Sequence, residues 1–167
     1  MKEMNSEYIL EAIDREFPEA ILDASETHGM LTIEIKKDEI KKVIHFIKVS
    51  SLNFHFLTDV CGIHYPDNKE KELGVIYHLH NMVENVRIRL KTFMPREGAE
   101  VESLVDLFAG ANWMERETYD FFGIKFTGHP DLRVILNMPD LGYHPLLKEY
   151  RLEDGTRTDK NDLMFGR

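Results

Sequence analysis

Apolar positions along this chain recur at two different spacings, and the switches between them mark out its elements. Ile9, Ile13 and Phe17 fall on one face of a helix predicted over 6–17, which Pro18 stops. Ala20-Ile21-Leu22-Asp23-Ala24 and Leu31-Thr32-Ile33-Glu34-Ile35 flank a turn at His28-Gly29, and the alternation in the second predicts a hairpin strand with one buried face. Asp38 is placed as the N-cap of the next helix, where Ile40, Val43, Ile44 and Ile47 form the i, i+3, i+4, i+7 stripe of a packed element.

Three strands are predicted next, over 53–63, 73–80 and 85–92, with Tyr65-Pro66-Asp67-Asn68 turning the chain between the first two. The third has the cleanest alternation: Val86, Ile88 and Leu90 face inward while Arg87, Arg89 and Lys91 face out. Helical spacing returns at 102–108 and at 111–122, where Gly123 ends the run. Together these elements predict an α+β fold: one globular domain over 1–128 with a mixed or antiparallel sheet and helices packed on it.

Periodicity fades after Gly128. Four Pro- or Gly-containing pairs punctuate the remainder: His129-Pro130, Met138-Pro139, Leu141-Gly142 and His144-Pro145. Yet Leu132, Val134, Ile135, Leu136, Leu146, Leu147 and Tyr150 are too many apolar groups for a solvated linker. Residues 129–167 are therefore expected to form an extended strap lying against a partner subunit.

Composition narrows the possible functions. A net charge of −9 argues against nucleic acid, whose phosphates need a basic field. No apolar run approaches the roughly 20 residues that span a bilayer, and the first residues carry no apolar signal core. The single Cys61 excludes an internal disulfide and a self-contained iron–sulfur cluster, and fits a reduced, cytosolic setting. Its strand context predicts a small buried hydrophobe.

Candidate chemistry is sparse. Glu117 and Asp120 lie three apart on a helix and could serve a small hydrolase as an acid/base pair. The plainer reading pairs Arg116 with Asp120 at i, i+4. His78 and His80 share one strand face and suggest a metal-binding module, with Cys61, His64, His129 and His144 as further ligands, although paired zinc-type spacings are missing. No Gly-x-Gly-x-x-Gly or phosphate-binding Gly-Lys-Ser/Thr loop occurs. The basic stripe of Arg87, Arg89 and Lys91 fits a solvated sheet face, with docking of an acidic partner as the alternative.

The segment Glu115-Arg116-Glu117-Thr118-Tyr119-Asp120-Phe121-Phe122-Gly123-Ile124-Lys125-Phe126-Thr127-Gly128-His129-Pro130-Asp131-Leu132-Arg133 closely resembles the signature of the thirty-kilodalton (C) subunit of complex I. Leu57-Thr58-Asp59-Val60-Cys61-Gly62-Ile63-His64-Tyr65-Pro66, Tyr77-His78-Leu79 and Asn85-Val86-Arg87-Ile88-Arg89-Leu90-Lys91 are similar to that family's strands, so the resemblance covers most of the chain. It implies a subunit of the peripheral, cytosolic arm of a membrane complex, with no catalytic residue and no cofactor of its own. Its implied partners are a hydrogenase-like large subunit and a small iron–sulfur subunit. The iron–sulfur cluster belongs to those partners, as does the nickel–iron site of hydrogenase-type relatives. The membrane is reached only through other subunits.

The resemblance also implies a partner interface built from Glu115, Arg116, Glu117, Tyr119, Asp120, Phe122, Gly123, Gly128, His129, Pro130, Leu132, Arg133, His144 and Pro145. The acidic and basic groups would supply ion pairs, and Tyr119, Phe121 and Phe122 apolar anchors. Gly123 and Gly128 free the backbone there, while Pro130 and Pro145 keep the strap extended. The tail departs from the family, with Tyr143, Leu147 and Glu149 standing where Gly, Arg and Asp are usual. That divergence leans toward the related subunits of energy-converting membrane-bound hydrogenases.

Overall fold

A computed structural model describes residues 5–150. Helix α1 (Ser6–Glu16) opens under an Asn5 cap whose side chain accepts the Tyr8 N–H at 2.9 Å, and it buries Ile9, Ala12 and Ile13. Strands β1 (Ile21–Thr27) and β2 (Met30–Ile35) form the expected antiparallel hairpin. Helix α2 (Ile40–Val49) buries all four of its stripe residues. Asp38 is not its N-cap. It sits in a 3₁₀ turn (Lys37–Glu39) with its carboxylate 3.9 Å from the Lys37 ammonium, and Glu39 takes the cap position without a side-chain bond.

Strands β3 (Phe56–His64), β4 (Leu73–Asn81) and β5 (Val86–Met94) complete a five-stranded mixed sheet ordered β1-β2-β5-β4-β3. Strand β5 pairs with β4 antiparallel and with β2 parallel, so the most regularly alternating strand lies inside the sheet. Ile88 and Leu90 are fully buried, as the alternation requires. The opposite face is not an open basic patch. Arg89 Nε donates to His78 Nε2 at 2.9 Å, and Lys91 lies between Glu34 and Asp23 at 3.7 and 3.8 Å, leaving Arg87 as the exposed member.

The helix expected at 102–108 is absent. Residues Glu100–Glu102 form β6, which pairs parallel with β7 (Lys125–Thr127), and the Ser103 N–H continues the ladder by donating to the Thr127 carbonyl at 2.9 Å. Too little chain remains before Phe108 for more than one turn, which the Leu104 carbonyl closes by accepting the Phe108 N–H at 2.8 Å. Helix α3 (Ala111–Phe122) has the predicted bounds and ends on Gly123 in the left-handed region at φ 78°. It packs on β3, where the Thr118 hydroxyl donates to the Val60 carbonyl at 3.4 Å and the Phe122 ring lies against Gly62. Residues 129–150 then return along α3 without regular structure; the rest of the expected strap lies outside the described residues.

Candidate partner interface

Helix α3 carries charge into the interior. Glu115, Arg116 and Asp120 are all buried, and each is satisfied by groups distant in sequence. Glu115 accepts the Ser103 hydroxyl at 2.7 Å and the Leu104 N–H at 2.6 Å, fixing the crossing segment before the helix. Burial pushes its carboxyl up to about 7, against those two hydrogen bonds.

Arg116 and Asp120 do not pair with each other. The Arg116 guanidinium donates to the carbonyls of Arg133 and Val134 at 3.1 and 3.0 Å and lies 5.3 Å from the Trp113 ring. Asp120 Oδ2 accepts the N–H groups of Ile135, Leu136 and Asn137 at 3.1, 2.8 and 3.0 Å, while Oδ1 takes the Asn137 side-chain amide at 3.0 Å. Burial raises this carboxyl, but the bonds from Asn137, Leu136 and Ile135 outweigh it and hold it below the ordinary aspartate range. The helical spacing correctly puts the two residues on one side of α3. What it hides is that an irregular backbone, rich in unpaired N–H and C=O groups, competes for both.

The histidines are similarly committed. His144 Nδ1 donates to the Asp120 carbonyl at 2.9 Å, and its ring meets Tyr119 edge-on with centroids 5.9 Å apart. His129 Nε2 donates to the Asn112 carbonyl at 3.1 Å while Nδ1 accepts the Asp131 N–H at 3.0 Å. Arg133 is exposed and bonds Asp131 at 2.9 Å. Leu132 packs on the core, Pro145 is half-buried, and Pro130 is exposed beyond the turn at Gly128.

Further on, the buried His64 accepts the Lys148 N–H at Nδ1 (2.9 Å) and donates from Nε2 to Glu72 (3.1 Å). Arg96 grips Glu149 through two bonds of 2.6 and 2.8 Å, and Leu147 is buried. His64 thus anchors the tail rather than a metal. Sequence reasoning misses that role for His64, Glu72 and Arg96, because nothing local marks a residue whose partner lies 84 or 53 positions away.

Neither enzymatic nor metal chemistry gains geometry. Glu117 is exposed while Asp120 is buried with its oxygens occupied, so the two share no reaction site. His78 is bonded to Arg89 and His80 to Asn85 at 3.1 Å. Among the described residues no group of three or more His, Cys, Asp or Glu side chains is placed to hold a metal. Cys61 is half-buried rather than a core residue, and burial, aided by Asp59, pushes its thiol up to about 11.

What the arrangement does is seat backbone. Side chains of α3 take up the main-chain polar groups of residues 129–150, and that segment turns Leu136 (65% exposed), Met138 (67%) and Tyr143 outward. The family model of the respiratory-chain NADH dehydrogenase 30 kDa subunit matches residues 33–156. The chain belongs to that family. Family members include the C subunit of the NADH-quinone oxidoreductase of Xanthobacter autotrophicus, 45% identical over 132 residues, which cover 78% of this chain and 62% of that one. The C subunit of the F(420)H(2) dehydrogenase of Methanosarcina mazei is 39% identical over 150 residues, covering 88% and 92%.

Two solved structures share the fold. A trypsin-resistant fragment of Nqo5 superposes with a TM-score of 0.65 at 29% identity, covering 75% of this chain and 98% of the fragment. A chain of the membrane-bound sulfane sulfur reductase, an archaeal respiratory membrane complex, gives a TM-score of 0.74 at 25% identity, covering 87% and 85%. This 30 kDa-type chain is thus a subunit of a complex I-type or related membrane-bound oxidoreductase complex. Among its described residues, no helix is long and apolar enough to cross a membrane.

Proposed function

We propose that this chain is a cofactor-free, non-catalytic structural subunit of the peripheral, cytoplasmic arm of such a complex. It braces a hydrogenase-like large subunit next to a small iron–sulfur subunit, and electrons pass through those partners. The observation that carries this reading is the use made of the signature residues. Glu115, Arg116, Asp120, His129 and His144, groups an enzyme would aim at substrate, are turned onto the chain's own backbone. The product is a fixed segment whose outward side chains include the large apolar Leu136, Met138, Tyr143 and Leu146. A polar backbone anchored from behind with an apolar front matches the anatomy of a permanent subunit contact.

Gentle native purification through a tag on this chain tests the proposal. A large subunit and an iron–sulfur subunit should copurify in equal amounts. Leu136→Asp with Met138→Asp should abolish that association while leaving the isolated chain's circular dichroism unchanged. A redox centre or substrate turnover in the isolated, full-length chain would overturn the reading.

A further inference from the structure

Glu117 is the one charged residue of Glu115-Arg116-Glu117-Thr118-Tyr119-Asp120 that the fold leaves over. It is exposed, and among the described residues its carboxylate makes no hydrogen bond or ion pair. It stands on the rim of a groove of about 270 Å³ between β3 and α3, lined also by Asp59, Cys61, Phe121, Phe122 and Leu146. Gly62 lines it too. A Cβ there would come within 2.4 Å of the Phe122 ring, so the bare backbone lets that ring close one wall. Leu146, whose N–H donates to the Phe121 carbonyl at 3.2 Å, closes another.

The groove sets the apolar Phe121, Phe122 and Leu146 beside the carboxylates of Asp59 and Glu117. The Asp59 side chain is 50% exposed, and the His78 ring, which accepts from Arg89 at Nε2, lies 3.9 Å from its carboxylate. Both Asp59 and Glu117 lie close enough to Cys61 to disfavour its thiolate, while the Arg89 cation favours it. Two carboxylates against the one Arg89 guanidinium leave the groove net negative. Leu146 belongs both to this groove and to the apolar front of the 129–150 segment, which makes the two surfaces continuous.

We propose that the groove receives a basic side chain carried on an apolar segment of the same neighbouring subunit that covers residues 129–150, with Glu117 and Asp59 as its counter-charges. This rests on the subunit reading above and adds the chemistry of the contact. The aliphatic stem of a lysine or arginine packs on Phe121, Phe122 and Leu146, and its charged end reaches the carboxylates.

The chain contains its own reporter, since Cys61 is its one cysteine and lines the groove. Alkylation by N-ethylmaleimide at pH 8.5 is followed by mass spectrometry in the native complex and in the free full-length chain. Cys61 should react at least tenfold more slowly in the complex. In competition with wild type, Glu117→Arg should enter the complex at least tenfold less, Asp59→Arg should do likewise, and Glu117→Asp should enter normally. If the chain assembles but Cys61 reacts at its free rate, or if Glu117→Arg competes equally, the groove contact is refuted while the subunit reading stands. If the wild-type chain enters no complex, both fall.

Discussion

Asp120 and Asn137 are joined twice: the Asn137 N–H reaches Oδ2 and its side-chain amide reaches Oδ1, each at 3.0 Å. With Ile135 and Leu136 also donating to Oδ2, one buried carboxylate organises a turn of otherwise unpaired backbone. Asp120→Ala strands these donors away from water. We expect a loss on the order of 3 kcal/mol in urea unfolding, accompanied by rapid proteolysis within 129–150. A variant that unfolds at the wild-type midpoint with that segment still protected would contradict this role.

The two buried acids of α3 give opposite pH dependences. Asp120, held below its ordinary 3.8, contributes stability that is complete above that value and lost as pH falls through its folded pKa. Glu115, raised from 4.5 to about 7, binds its proton more tightly in the folded state, so rising pH between those values removes stability. The interval corresponds to roughly 3 kcal/mol. Between pH 5 and pH 8 the urea midpoint should therefore fall more in wild type than in Glu115→Gln, whose amide can accept the Leu104 N–H and donate to the Ser103 hydroxyl oxygen without ionising. Parallel pH profiles for the two proteins would rule this out.

Two glycines with nearly equal φ separate conformation from crowding. Gly123 and Gly128 have φ of 78° and 81°, but a Cβ at Gly123 would lie 2.6 Å from the His144 ring, and one at Gly128 would meet nothing within 4 Å. Gly128→Ala should cost about 1 kcal/mol for the left-handed backbone alone. Gly123→Ala adds displacement of His144 and should cost about 2–4 kcal/mol. The difference is read from thermal unfolding, and equal losses would mean that His144 yields freely.

Arg116 and Arg96 both grip the returning segment, from different surroundings. Arg116 is buried and serves two carbonyls, so Arg116→Ala should destabilise by about 2–4 kcal/mol. Arg96 meets Glu149 with both side chains about two-fifths exposed, and its guanidinium stays 3.7 Å from the Glu72 carboxylate. Arg96→Ala should leave the unfolding midpoint nearly unchanged, because an exposed pair gains little over its hydrated partners. Comparable losses in urea unfolding for the two variants would contradict this division.

These contrasts explain which parts of the fold are legible in sequence. The α2 stripe, the β5 alternation and the bounds of α3 are set by neighbours within a few residues, so periodicity reveals them. Asp38 and the 102–108 segment mislead because a local cap or helix signal loses to a 3₁₀ turn and to the β6–β7 pairing. The signature of α3 is visible as a set of residues, but the direction of its bonds is not. Arg116 and Asp120 look like a helical ion pair until the carbonyls and amides of residues 133–137 are brought alongside. The tail's apolar content is legible; its anchoring by His64 and Arg96 is not, since those partners lie far back in the chain.

His64, Arg116 and Asp120 all address the returning segment chiefly through its main chain. Peptide groups are the same whatever residue bears them, so the path of the segment is insulated from much of its own sequence. The exposed Leu136 and Met138 can therefore be exchanged without redirecting the chain. Route and identity are separable here, and the outward-facing positions are free to diverge with whatever they touch.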